Sequence, residues 1–248
     1  MFDLNKILRF GLLPRIYSEE DTELCKDLLR SYTETYLQEE IKAEALVRNI
    51  HGFIRFLKIA AENNGEIINY TNIARETGND RNIVKEFFQI LEDTLVGFYL
   101  LPFSKSARKR LVSHSKFYFF DVGVTRALQG KLNLELHSSS MDFGKVFEQF
   151  LILEIIKFSK YYRKDLELSF YRTSAGAEVD IIIETPEKTR FAVEIKASTN
   201  PSMSKLKGLK SFYSIDPKAK LICASLVTKQ YKHHNILFVP WQELFELF

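Results

Sequence analysis

Near its C-terminal end the chain reads Glu178-Val179-Asp180-Ile181-Ile182-Ile183-Glu184, then a short polar turn, then Phe191-Ala192-Val193-Glu194-Ile195-Lys196. An acid on one strand beside Glu-x-Lys on the next offers oxygen donors for Mg²⁺ or Mn²⁺. The lysine could orient or activate a water for attack on phosphate. Antiparallel pairing that sets Glu184 opposite Arg190 also sets Ile183 against Phe191, Ile181 against Val193 and Val179 against Ile195, a matched apolar face. Alternation then puts Asp180 against Glu194 and Glu178 against Lys196 on the other face. Facing carboxylates destabilise a sheet, and a divalent cation would remove that cost. The alternative is an amphipathic hairpin with a wet polar face, on which Lys196 simply neutralises Glu178.

Glu148 belongs with this set. It sits early in an apolar helical pattern with Val146, Phe147, Phe150 and Leu151 around it. An unpaired buried carboxylate is costly, so Glu148 needs a partner, and a shared metal site would supply one. An acid followed on the neighbouring strand by Glu-x-Lys resembles the PD-(D/E)XK phosphodiesterase constellation.

These residues need a scaffold, and 248 residues are enough for two small domains, each with its own core. The apolar fraction of 46% indicates a globular chain, and a net charge of +3 means that nucleic-acid affinity must come from local clusters. Cys25 and Cys223 lie far apart without metal-ligand spacing, which fits a reducing, cytoplasmic setting. No apolar run approaches the roughly 18 residues of a membrane span, and the opening residues lack a cleavable-signal pattern. The phosphate-cradling G-x-x-x-x-G-K-[ST] pattern is absent, as are G-x-G-x-x-G and G-x-S-x-G, so no ATP site is expected in this chain. His233-His234 are adjacent, a poor two-ligand arrangement, and read as surface residues.

Helical spacing runs through Leu24, Leu28, Leu29, Tyr32 and Tyr36, capped around Ser18 to Asp21, and predicts a helix to about Gln38. A second spans residues 46–61. Two short helices follow over 70–77 and 81–91, divided by Gly78-Asn79-Asp80. Strand-like segments at 96–102 and 116–120 complete the pattern of a helix-turn-helix with a wing. Lys105, Arg108, Lys109 and Arg110 in the intervening loop could grip phosphates, while Arg81, Asn82, Lys85 and Gln89 face outward from the second helix. Winged helices also serve as spacers and docking modules, and Glu86 and Glu92 would repel DNA from that face. Beyond a loop at 129–141, a helix over 143–162 capped by Asp142, strands at 166–173, 178–184 and 191–196, a helix over 204–213 with Lys205, Lys207 and Lys210, strands at 221–227 and 236–239, and a terminal helix over 241–248 are expected.

The segments Lys116 through Gly123, Gly144-Lys145-Val146-Phe147-Glu148, Tyr171-Arg172-Thr173 through Glu178-Val179-Asp180, Val193-Glu194-Ile195-Lys196-Ala197-Ser198 and Leu206-Lys207-Gly208-Leu209 occur here in that order. In these the chain resembles the C-terminal region of a large group of prokaryotic AAA-type ATPases, where a winged helix joins a PD-(D/E)XK-like domain of unknown function. The likeness extends to Phe10-Gly11-Leu12-Leu13-Pro14, which is similar to the connection after the ATPase domain. The ATPase domain itself is missing, so a stand-alone or truncated member is expected.

That resemblance implies Glu148, Asp180 and Glu194 as metal-binding acids and Lys196 as the catalytic lysine. The expected fold class is α+β. A helical connection over 1–44 and an α-rich winged-helix domain over 45–130 come first. A linker over 131–142 then leads to a restriction-endonuclease-like α/β domain over 143–248. The expected function is a Mg²⁺- or Mn²⁺-dependent nuclease or nuclease-like DNA-processing module in the cytoplasm. It would act on DNA or RNA without a membrane, with Lys105, Arg108, Lys109, Arg110, Arg81, Lys85, Lys205 and Lys207 on phosphates and an AAA-type ATPase as a partner in trans. The alternatives are a non-catalytic module with a degenerate nuclease fold that binds nucleic acid or a partner ATPase, and a purely structural network of acids.

Overall fold

A computed structural model describes residues 3–36, 50–104 and 115–248. The chain is mixed α and β, in two compact units: Met1–Tyr99 with His114–His137, and Leu100–Ser113 with Ser138–Phe248.

The first unit is mainly helical. Asp3 caps α1 (Leu4–Phe10), and α2 (Pro14–Tyr17) follows with proline in its first turn. The Asp21 carboxylate accepts the Glu23 N–H at 2.8 Å and starts α3 (Thr22–Ser31). The helix expected to reach Gln38 passes into a wider π turn at Tyr32–Tyr36, and residues 37–49 lie outside the described residues. Next come α4 (Ile50–Glu62), α5 (Tyr70–Thr77) and α6 (Arg81–Asp93). Gly78 ends α5 at φ +67°, a left-handed conformation that glycine adopts without a Cβ penalty. Asp80 then accepts the Asn82 N–H at 2.7 Å and starts α6.

Val84, Phe87, Phe88 and Leu91 form one buried stripe of α6. They pack on Phe53, Phe56 and Leu57 of α4 and on Phe117 and Phe119 of the two-stranded sheet β1 (Gly97–Leu100) and β2 (Lys116–Phe119). Edge-to-face rings hold this core, with Phe56 and Phe117 at 4.8 and 4.9 Å from Phe88. Behind β2, the short helix α7 (Val122–Leu128) was not anticipated. Its cap, Asp121, accepts N–H groups from Gly123 and Val124 and also from Leu12, so one carboxylate ties the chain after α1 to α7.

The second unit opens with α8 (Met141–Tyr161). Ser140, not Asp142, is its cap: the Ser140 hydroxyl accepts the Phe143 N–H at 3.1 Å, which lets the helix begin earlier and leaves Asp142 in the first turn. Then come β3 (Glu167–Arg172), β4 (Glu178–Glu184), β5 (Arg190–Lys196), α9 (Lys207–Ile215), β6 (Lys220–Ser225), β7 (Tyr231–His233) and β8 (Ile236–Pro240). The sheet order is β3-β4-β5-β6-β8-β7, antiparallel from β3 to β5 and parallel across β5-β6 and β6-β8. Edge strand β7 was missed, because three exposed residues carry no buried face to read.

The helix expected from Ser204 starts later. Met203–Lys205 is a 3-10 turn, and the buried Leu206 breaks the backbone before α9. Gly208 lies so close to the Glu178 carbonyl that a Cβ there would sit 1.6 Å from the oxygen. Trp241–Leu247 closes the chain as a 3-10 helix. Leu206, Leu209 and Phe212 cover Ile182, Ala192 and Cys223 on one face of the sheet, and α8 packs against β5. Among the described residues no helix is long and apolar enough to cross a membrane.

Candidate functional site

The β4–β5 register is the expected one for Ile181 with Val193, Ile183 with Phe191 and Glu184 with Arg190. At Asp180 the arrangement changes. The Ile195 N–H, which would otherwise bond the β4 backbone, donates to Asp180 Oδ2 at 2.7 Å. A side chain thus replaces a ladder carbonyl where β4 carries its acid.

The face holding the acids is not wet. Asp180 and Glu194 are 7% and 5% exposed. Lys196 does not neutralise Glu178 either: its ammonium lies 2.7 Å from Glu194 Oε1 and 3.6 Å from Asp180 Oδ2, whereas Glu178 pairs with Arg172 at 3.1 Å. The reason is the covering helix, which turns both faces of β4 and β5 into interior and directs the lysine to the nearest buried negative charge.

The electrostatics follow from that burial. Removal from water, then the negative charge of Asp180, push the Glu194 carboxyl up to about 8 against the pull of Lys196. Burial draws Lys196 down, but Asp180 and Glu194 outweigh it and hold the ammonium above its ordinary range. Glu148, on the second turn of α8, is close enough to add its charge to both. Glu194 Oε2 is buried with no hydrogen-bond partner among the described residues.

Two neighbours escaped the sequence reading. Parallel pairing sets Cys223 beside Glu194 and Ser225 beside Lys196. Burial pushes the Cys223 thiol up to about 12, and the fully buried Ser225 hydroxyl has no partner among the described residues. Alternation within 220–225 places both residues on one face, but only the strand pairing brings that face to Glu194.

Among the described residues, no group of three His, Cys, Asp or Glu side chains is arranged to hold a metal ion. The donors that are present do fit a hard cation in kind: two carboxylates, one with an unsatisfied oxygen, and a third acid within electrostatic range.

The opposite end of the same face is a closed ion network. Glu184 pairs with Lys188 at 2.9 Å and with Arg190, whose guanidinium also meets Asp216 at 2.8 Å.

Of the expected phosphate contacts, Lys105, Arg108, Lys109 and Arg110 lie outside the described residues. Arg81, Asn82, Lys85 and Gln89 are exposed on α6, but so is Glu86. Gln89 donates to Asp93 at 2.8 Å, and the Lys85 ammonium lies 5.9 Å from the centre of the Tyr70 ring. Lys205, Lys207 and Lys210 are exposed on the 3-10 turn and α9.

The family described as Domain of unknown function (DUF8612) matches residues 1–135. The chain belongs to that family. Residues 143–244 match a second, Domain of unknown function (DUF4143). Among curated relatives, Uncharacterized protein MJ1637 of Methanocaldococcus jannaschii is 23% identical over 97% of this chain and 48% of its own length. MJ1544 of the same organism is 24% identical over 96% and 54%. Uncharacterized protein Rv2008c of Mycobacterium tuberculosis is 25% identical over 80% and 44%. The chain therefore spans about half the length of these relatives. No solved structure matches it.

Proposed function

We propose that the second unit is a divalent-metal-dependent phosphodiesterase module of PD-(D/E)XK type acting on nucleic acid, joined to a winged-helix-like first unit. The observation that carries this reading is the buried Asp180–Glu194–Lys196 cluster, with its unpartnered Glu194 Oε2 at the point where β4 and β5 stop pairing through their backbones. Natural sheets seldom keep an unsatisfied buried carboxylate oxygen without a use for it.

Asp180 and Glu194 would hold Mg²⁺ or Mn²⁺, with Glu148 bound directly or through water. When bound, the ion would supply Lewis-acid polarisation of a phosphate oxygen and a more acidic water. The ammonium of Lys196 lends positive charge beside the acids and can orient the attacking water. The ATPase partner rests on the resemblance of the sequence motifs to C-terminal regions of AAA-type ATPases.

The test is Mn²⁺-supported cleavage of single-stranded, duplex and branched DNA, and of RNA, by the wild type beside Asp180→Ala and Lys196→Ala. Losses of about 10²-fold or more in both variants are expected, the scale of removing one charge-stabilising group. Cleavage unchanged by Asp180→Ala would sink the mechanism.

A second reading has its own observation. Lys196 already pairs with both acids, and the described residues hold no three-acid group, as in a nuclease fold kept for binding after its chemistry is lost. A folded wild type that cleaves nothing and gives a silent calorimetric Mn²⁺ titration, yet binds nucleic acid, would decide for it.

A further inference from the structure

Charge is distributed unevenly along the chain. Residues 197–242 contain seven lysines, no arginine and one acid, Asp216; the remaining residues hold 28 basic against 31 acidic side chains. That stretch is therefore +6 and everything else is −3. All seven lysines are exposed, while Asp216 is buried and paired with Arg190. Little negative charge on this stretch offsets them.

Topology gathers part of this charge beside the acid–lysine cluster. β5 and β6 run parallel, with Lys196 level with Ser225 at their C-terminal ends. The Leu226 N–H donates to the Ser198 carbonyl at 3.1 Å, so the two strand exits stay together. Lys229 follows the β6 exit by four residues. On the other side, Lys205 and Lys207 flank the start of α9, whose first turn is held against the Glu178 carbonyl by Gly208, two residues before Asp180. Lys210 continues along α9 and Lys232 lies on edge strand β7.

We infer that the exits of β5 and β6, with the first turn of α9, form the surface on which a nucleic-acid strand is held by its phosphates, Lys205, Lys207 and Lys229 making the nearest contacts. Lysines without arginine forks act as point charges on a polyanion, which gives backbone contact without base readout. The α6 face fits this ligand less well, since Glu86 shares it and Gln89 is bonded to Asp93. This inference deepens the phosphodiesterase reading by naming its substrate surface, and its test needs no cleavage.

The test is fluorescence anisotropy of labelled single-stranded and duplex DNA with the full chain in EDTA, over about 50 to 200 mM salt. The wild type should bind with a steep salt dependence. K205Q/K207Q/K229Q should bind at least about tenfold more weakly at the lowest salt, with the slope of log K against log salt reduced by about two to three, one phosphate per lysine. Unchanged thermal unfolding would show that the variant is folded. R81Q/K85Q, on the rival face, should keep the wild-type slope.

An unchanged slope in the lysine variant, a loss confined to R81Q/K85Q, or binding of phosphatidylserine vesicles but of neither DNA would overturn the inference. The EDTA assay separates the two proposals, because it reads the lysine surface without metal or cleavage. Binding that needs these lysines, without any Mn²⁺-supported cleavage, would leave the surface standing and remove the phosphodiesterase reading.

Discussion

At one end of the polar face shared by β4 and β5, Glu184 is held between Lys188 and Arg190, and Arg190 reaches on to Asp216. At the other end, Glu194 and Asp180 share the single ammonium of Lys196, and one Glu194 oxygen is left without a partner among the described residues. Both ends start from acids on the same face of β4 and β5, but the Glu184 end adds Lys188 from the turn between the strands and Asp216 from the end of α9. Burial pushes Glu184 up too, but its two cations outweigh that and hold it below the ordinary carboxylate range. At Glu194, burial and Asp180 win, and the carboxyl rises to about 8. The ratio of cations to buried acids thus separates a network that stabilises the fold from a cluster poised to take on further positive charge.

The sharpest way to break this contrast is Arg190→Ala, which leaves Glu184 and Asp216 buried without their shared guanidinium. A loss of about 3 kcal/mol in urea unfolding is expected, near the lower bound for a broken buried pair because the arginine is 29% exposed. A loss under about 1 kcal/mol would mean that the network is no more than surface pairing.

Gly208→Ala comes next and acts at the cluster end. Its Cβ would meet the Glu178 carbonyl, so α9 must shift, at a cost of about 2 to 3 kcal/mol with any cleavage lost as well. Wild-type stability and activity in this variant would show that the helix is not held there.

The pH dependence should run in opposite directions at the two ends, measured in EDTA by urea midpoints. Glu184 is lowered in the fold, so its contribution is present above the ordinary carboxylate range and is lost as pH falls; Glu184→Gln should flatten that acid limb. Glu194 is raised in the fold, so the folded chain holds a proton that the unfolded one releases. Stability should therefore decline as pH rises from 4.5 towards about 8, and Glu194→Gln should remove the decline. The same pH slope at both positions would erase the distinction.

The smallest effect is expected at Ser225→Ala. Its buried hydroxyl has no partner among the described residues, so removal should change stability by less than about 1 kcal/mol in either direction. A larger loss would reveal a bond from Ser225 to something held in the cluster.

By itself the sequence determined most of the longer local elements and the β4–β5 register from Ile181 to Glu184. Alternation over 178–184 and 190–196 set which residues share a face, because a strand's period of two leaves one matched apolar pairing. The helical stripe through Val84, Phe87, Phe88 and Leu91 and the turn at Gly78 to Asp80 were equally readable, since periodicity and capping act within a few residues. Contacts distant in sequence were not readable in this way. That α9 would bury the polar face, that Lys196 would turn from Glu178 to Asp180 and Glu194, and that β6 would bring Cys223 and Ser225 alongside were decided by tertiary packing. The physical reason is burial: a carboxylate's partner and proton affinity depend on which element removes water from it, and that element lies elsewhere in the chain.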